Sequence, residues 1–333
     1  MKTLFTDSFL FIICAAIIFF AGKRISYYGD IIAELTGFGK AWIGLILMAS
    51  ITSLPELMVG ISSVAIVESA DLAVGDILGS CAFNLGILSV LDAFTPKNKP
   101  LFSQASQSHV LAASFGLILL TMTGLALYLP VDFILTPGIG ITSILFMVVY
   151  LLSIRIIFQY NSRQPKKDEI VHPHEQLTLS QAAWRYAGFA LIIIGAALFL
   201  PHFAEGIAVH TGLGKSFVGT LFLAISTSLP EIAVSIAALR IGAVDMAVGN
   251  LLGSNIFNIL ILFIDDLFYT KGHLLKDASE SNLISVFAAI LMSAVVIIGL
   301  TYRSIGKKHL LAWDTMVILL IYIANIILLY KLS

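Results

Sequence analysis

Charge is what this 333-residue chain has least of. Only 12% of its residues are Asp, Glu, Lys or Arg, while 59% are hydrophobic, against roughly 25% and 45–50% in a soluble domain. That balance excludes a cytosolic globular enzyme and a disordered chain. With only two cysteines, Cys14 and Cys81, each inside an apolar run, a disulfide-framed secreted scaffold is excluded too. A formal net charge of −1 excludes a nucleic-acid partner, which would demand a basic surface. What the chain does have is long apolar runs and a mean hydropathy of +0.99. These features predict an all-α polytopic membrane protein whose main partner is the lipid bilayer.

A spanning helix needs ~20 mostly apolar residues. On that criterion the sequence reads as ten transmembrane helices, near 8–28, 41–67, 72–93, 108–129, 133–157, 183–203, 216–239, 246–268, 282–302 and 312–330. Alternating the loops places 14 Lys and Arg residues on one side of the membrane and five on the other. The basic side is expected to be cytoplasmic, with both termini outside. The first apolar run is followed, not preceded, by Lys23 and Arg24, so it reads as a retained helix rather than a cleaved leader.

The strongest signal is a duplication. Residues 36–63 match 211–238 at 13 of 28 positions, and 71–92 match 245–266 at 12 of 22. Thr52-Ser53-Leu54-Pro55-Glu56 answers Thr227-Ser228-Leu229-Pro230-Glu231, and Gly75-Asp76-Ile77-Leu78-Gly79-Ser80 answers Gly249-Asn250-Leu251-Leu252-Gly253-Ser254. The copies occupy helices 2–3 and 7–8, five spans apart, which forces opposite orientations in the bilayer. The expected organisation is therefore two inverted five-helix halves, 1–158 and 182–333, with repeats at 41–93 and 216–268. A charged cytoplasmic linker at 159–181 joins them.

Within the copies, Glu56 and Glu231 each fall near mid-span, where a carboxylate costs ~2.5–3.5 kcal/mol on insertion scales and is functional by default. Pro55 and Pro230 precede them directly and remove helix hydrogen bonds to the carbonyls of Ile51 and Ser226. Backbone oxygen freed at that depth is tolerated where it lines a cavity. Thr52 shares a helix face with Glu56, and Thr227 with Glu231, by their i,i+4 spacing. Asp76, Ser80 and Asn84, like Asn250, Ser254 and Asn258, form polar stripes on otherwise apolar helices. The paired glycines Gly75/Gly79 and Gly249/Gly253 are expected to serve close helix packing. Two carboxylates with hydroxyl, amide and carbonyl oxygens supply the six to eight hard ligands Ca²⁺ requires, and the constellation has no Cys or His to suit zinc or copper. Asp92, Asp265 and Asp266 mark the far ends of helices 3 and 8 and read as interfacial, with the guarding of an ion vestibule as the alternative. His172 and His174 read as solvated linker residues. No His-Glu-x-x-His motif is present to support an intramembrane hydrolase.

These duplicated motifs resemble the two α-repeats of the sodium/calcium exchanger family of calcium/cation antiporters. The resemblance implies alternating access at a midplane site, no cofactor beyond the transported Ca²⁺ and Na⁺ (or H⁺), and a first helix in each half that slides against the rest. It implies as ligands Glu56, Glu231, Thr52 and Thr227. Ser80, Ser254 and the carbonyls of Ala49 and Ala224 would complete flanking Na⁺ sites, with Asn84 and Asn258 between them. Asp76, Asn250, Ser53 and Ser228 are further candidates. Two features depart from the family pattern: Asn84 and Asn258 are both neutral where many members carry one acid, and Asp76 stands where an Asn is usual. The short linker resembles that of prokaryotic members and implies a cell inner membrane.

Overall fold

The computed structural model describes residues 4–36, 49–129, 134–136, 139–163, 177–240 and 242–332. Most of the expected N-terminal repeat signature at 36–40, the first part of the expected second span, and His172 and His174 lie outside the described residues. Helix α1 covers Leu4–Thr36, followed by α2 (Ala49–Thr52), α3 (Leu54–Ala65), α4 (Ala70–Ala93), α5 (Leu101–Gln104) and α6 (Ser108–Tyr128). A short antiparallel pair, β1 (Ile134–Thr136) and β2 (Ile139–Gly140), leads into α7 (Ile141–Ser162). Next come α8 (Leu179–Thr211), α9 (Lys215–Val218), a π-helical turn at Gly219–Leu223, α10 (Ala224–Thr227) and α11 (Leu229–Arg240). The chain closes with α12 (Val244–Phe268), α13 (Leu274–Asp277), α14 (Asn282–Tyr302) and α15 (Trp313–Leu332).

Among the described residues eight helices are long and apolar enough to cross a bilayer, and a ninth span is formed by the pair Lys215–Thr227 and Leu229–Arg240, bent by 45°. The segment Ala49–Ala65 is its duplicate and is broken in the same place. Both breaks fall at a serine, Ser53 and Ser228, two residues before the proline. Each serine N–H still reaches back four residues, to Ala49 O at 3.0 Å and to Ala224 O at 3.1 Å. The proline nitrogen has no hydrogen to continue the ladder, so a continuous kinked helix gives way to two shorter ones meeting at mid-span.

Three expected boundaries move. The first helices of the two halves are each 33 residues long, exceeding 8–28 and 183–203, because hydropathy counts only the part facing lipid. The helix expected from 133 begins at Ile141. Pro137 and Gly138 lie in the sequence between the two short strands, and that pair disfavours helix however apolar its neighbours.

Helices α4 and α12 form the centre. They are buried along nearly their whole length, and α14, α6 and α15 pack around them, while α1 and α8 pair on the other side. Close approach is bought with glycine at one contact in particular. A Cβ on Gly79 would fall 2.4 Å from Thr220 O and 2.5 Å from Thr220 Cα, so α4 lies directly on the π-helical turn. Packing is thus the role of Gly75 and Gly79.

Candidate cation site

The two serine breaks bring the N-terminal ends of α3 and α11 face to face at the centre, against α4 and α12. Every polar candidate there is closed off from solvent. Thr52, Ser53, Glu56, Asp76, Ser80, Asn84, Thr227, Ser228, Glu231, Asn250, Ser254 and Asn258 are all 0% exposed, and Ala49 and Ala224 are buried.

The contacts cross between the halves and repeat with near two-fold symmetry. Ser53 Oγ donates to Glu231 Oε1 at 3.2 Å, and Ser228 Oγ donates to Glu56 Oε1 at 2.8 Å. Thr52 Oγ1 lies 3.4 Å from both Asn250 Oδ1 and Ser254 Oγ. Its counterpart Thr227 Oγ1 lies 3.1 Å from Asp76 Oδ1 and 3.4 Å from Ser80 Oγ. Each threonine also faces a main-chain oxygen of its own segment, Ala49 O at 3.3 Å and Ala224 O at 3.3 Å. Ser254 Oγ completes the Glu231 environment at 3.5 Å. Thr52, Ser53, Glu56, Ser80 and their duplicates are therefore gathered at one crossing, and Asp76 joins the Thr227–Ser80 half where Asn250 joins the Thr52–Ser254 half. Asn84 and Asn258 lie one helical turn beyond Ser80 and Ser254.

The chemistry of the crossing lies in what remains unbonded. Glu56 Oε2, Glu231 Oε2, Asp76 Oδ2, Asn84 Oδ1 and Asn258 Oδ1 are buried acceptors with no hydrogen-bond partner. A buried acceptor without a donor costs ~1–3 kcal/mol, and more when charged. Three of these belong to carboxylates, and buried carboxylate oxygens without donors call for a positively charged occupant. Among the described residues no three His, Cys, Asp or Glu side chains come close enough to hold a metal by themselves. The donor set is carboxylate, amide, hydroxyl and carbonyl oxygen, which suits hard cations and not zinc or copper.

Asn255 was not legible as a site-organising residue. Its amide donates to Cys81 O at 3.1 Å, while Asn84 Nδ2 donates to its oxygen at 3.1 Å. It thereby locks α4 to α12 and orients the Asn84 oxygen. The one clue in the sequence was that its duplicate is Cys81, so the repeat is broken by a polar residue there.

Asp92 and Asp266, expected at the membrane interface, are instead buried organisers of the loops. Asp92 accepts from Leu101 N at 2.8 Å, Ala312 N at 2.8 Å and Thr315 Oγ1 at 2.8 Å. Asp266 accepts from Leu274 N at 2.9 Å and Ser143 Oγ at 2.6 Å. Lys307, counted among the cytoplasmic charges, lies under the same loop with its ammonium 3.0 Å from Thr95 Oγ1 and 3.6 Å from Asp92 Oδ1. Cys14 and Cys81 are both free and buried.

Comparison with known proteins identifies the family. The sequence profile of the family described as sodium/calcium exchanger protein matches residues 7–158 and 181–331. The putative antiporter CaxA of Alkalimonas amylolytica is 33% identical over 250 residues, covering 73% of this chain and 75% of that protein. The inner membrane protein YrbG of Escherichia coli (strain K12) is 30% identical over 297 residues, covering 85% and 87%. Among solved structures, the sodium-calcium exchanger NCX_Mj soaked with 2.5 mM Na⁺ and 0.1 mM Sr²⁺ superposes with a TM-score of 0.63 at 21% identity, covering 98% of this chain and 99% of that one. This chain is an integral membrane protein and belongs to the sodium/calcium exchanger family of cation/Ca²⁺ antiporters.

Proposed function

We propose that the chain exchanges Ca²⁺ for Na⁺ by alternating access, with Glu56 and Glu231 holding one Ca²⁺ or the coupling ions in turn. The observation that carries this reading is the set of five buried, unpartnered acceptor oxygens at the crossing of α3, α4, α11 and α12. Thr52, Thr227, Ser80, Ser254 and the Ala49 and Ala224 carbonyls flank them, in the arrangement expected of paired Na⁺ positions. Asn84 and Asn258 line the middle, and Ser53 and Ser228 hold the carboxylates in place across the halves. Asn250 and Asp76 make the flanking positions unequal, since only the second is an acid. Alternating access comes from α1 and α8, the first helices of the halves 1–158 and 182–333, sliding against the rest about this fixed centre. The linker at 159–181 faces the cytoplasm and both termini face out, in a prokaryotic inner membrane.

Coupling energetics favours three Na⁺ per Ca²⁺. Moving Ca²⁺ against a ~10⁴-fold gradient costs ~5.5 kcal/mol, and two charges against 100 mV add ~4.6 kcal/mol. Each Na⁺ entering down a tenfold gradient returns ~3.7 kcal/mol, the sum of concentration and voltage contributions. Two Na⁺ fall short and three suffice. Three Na⁺ on two carboxylates would leave a net positive charge in the membrane, so either Asp76 contributes its charge or the stoichiometry is lower.

The test is ⁴⁵Ca²⁺ uptake into proteoliposomes loaded with Na⁺ and diluted into Na⁺-free buffer, beside a matched pH-gradient control. Uptake that needs internal Na⁺ supports the proposal. Uptake that follows only the pH gradient replaces it with Ca²⁺/H⁺ exchange, the second reading, in which the glutamates carry the protons. Flux that neither saturates nor needs a counter-ion would mean a channel.

A further inference from the structure

The exchange site leaves a buried carboxylate of α12 unused. Asp265, three residues before the end of α12, is 0% exposed, and neither of its oxygens has a hydrogen-bond partner. It packs straight onto Gly60 of α3. A Cβ built on Gly60 would fall 2.4 Å from Oδ2 and 2.5 Å from Oδ1, so the carboxylate fills the space any side chain at position 60 would take. Its sequence neighbour Asp266 is, by contrast, fully engaged with Ser143 and Leu274.

The position of Asp265 follows from helix geometry. Gly60 is four residues past Glu56, one turn along the same face of α3. Asp265 is seven residues past Asn258, two turns and ~10 Å along α12. Ser63, a further turn along α3, is also buried with an unpartnered hydroxyl. Unsatisfied polar groups on α3 and α12 thus continue from the central site toward the C-terminal ends of both helices.

The duplicate interface has no such file. The repeat mates of Asp265, Gly60 and Ser63 are Leu91, Ser235 and Ala238. Leu91 and Ala238 are buried core residues, and the Ser235 hydroxyl faces Ala247 O at 3.4 Å. The packing of this helix pair therefore does not require an acid, and an uncompensated carboxylate at membrane depth is too costly to be kept without use.

We propose that Asp265 is a second, outer cation post. A hard cation passing between the central site and the face on which α12 ends pairs with it in transit. The proposal rests on the exchange reading above. One carboxylate supplies only one or two of the six to eight oxygens Ca²⁺ takes, so Asp265 serves passage while Glu56 and Glu231 hold the ion. The other half offers no equivalent post, so the two faces of the protein meet cations differently.

The experiment compares wild type with Asp265→Asn and Asp265→Leu, the latter installing the residue of the duplicate. Apparent KM for Ca²⁺, and separately for Na⁺, is measured with the ion presented to each face of oriented proteoliposomes. KM at the face where α12 ends is expected to rise about tenfold, the lower end of what a focusing charge contributes, with the opposite face changed less than about twofold. Thermal stability of the cation-free protein stays level or rises, since neither oxygen had a bond to lose. Gly60→Ala, which displaces the carboxylate but keeps its charge, raises KM at the same face. An unchanged KM at that face overturns the proposal, as does an equal rise at both faces or a drop in stability that accounts for the loss. If wild type runs on a pH gradient instead, the same comparison is made with that gradient and only the coupling ion is revised. Absence of wild-type flux under either gradient defeats the exchange reading itself.

Discussion

Replacing Glu56 by Gln removes one charge from the centre and leaves its shape. Gln retains a carbonyl oxygen for the Ser228 hydroxyl now 2.8 Å from Glu56 Oε1, and it offers a second group at the unpartnered Oε2 position. The fold therefore has little to lose, and the cation-free protein is relieved of a carboxylate facing Glu231. The cation loses a great deal. Two unit charges ~4 Å apart at an effective dielectric of ~20 interact by ~4 kcal/mol, so a divalent ion stands to lose ~8 kcal/mol. Reorientation of the surrounding hydroxyls recovers part of this. Half of it, ~4 kcal/mol, is about a thousandfold in affinity. Thermal unfolding in detergent reads this directly. At Ca²⁺ equal to 100 times the wild-type Kd, wild type gains ~2.7 kcal/mol, and the variant at the same concentration less than ~0.1 kcal/mol. Retention of more than half of the Ca²⁺-induced shift by the variant would refute the electrostatic reasoning.

Asp76→Asn makes the Thr227–Ser80 half match the Thr52–Asn250–Ser254 half. It is expected to weaken Ca²⁺ binding by about ten- to a hundredfold, less than Glu56→Gln, if the ion sits between the two glutamates and Asp76 only flanks it; isothermal titration measures it. Asp92→Ala strands Lys307 and the amides of Leu101 and Ala312, which should cost ~3–5 kcal/mol of stability with Ca²⁺ affinity per folded molecule unchanged. Gly79→Ala drives a methyl into the Thr220 backbone and should cost ~1–3 kcal/mol, seen as a lower unfolding temperature.

Much of this architecture was legible because duplication doubles every local signal. Thr-Ser-Leu-Pro-Glu at one place is a kinked helix with an acid; at two places of opposite orientation it is a crossing, and the Ser53–Glu231 and Ser228–Glu56 bonds are that crossing. The polar stripes on α4 and α12 were legible for the same reason. Residues that break the repeat were not. Asn255 stands opposite Cys81, so no second copy points to it; Asp265, opposite Leu91, was visible as an acid at a helix end, but its packing on Gly60 was not. The burial of Asp92, Asp266 and Lys307 beneath loops was missed because hydropathy measures distance along a span. It does not see that a returning loop can cover a helix end and satisfy its charges. The start of α7 moved because an apolar run was weighed above the Pro137-Gly138 pair.

The most direct test of the central claim is equilibrium ⁴⁵Ca²⁺ binding to the purified chain titrated with Na⁺ at constant pH and ionic strength. A single site shared by both ions predicts about one Ca²⁺ per chain, displaced completely and steeply by Na⁺, with a slope above one because several Na⁺ replace each Ca²⁺. Bound Ca²⁺ that survives saturating Na⁺ would contradict the account, since the two ions would then occupy separate places and could not be exchanged through Glu56 and Glu231.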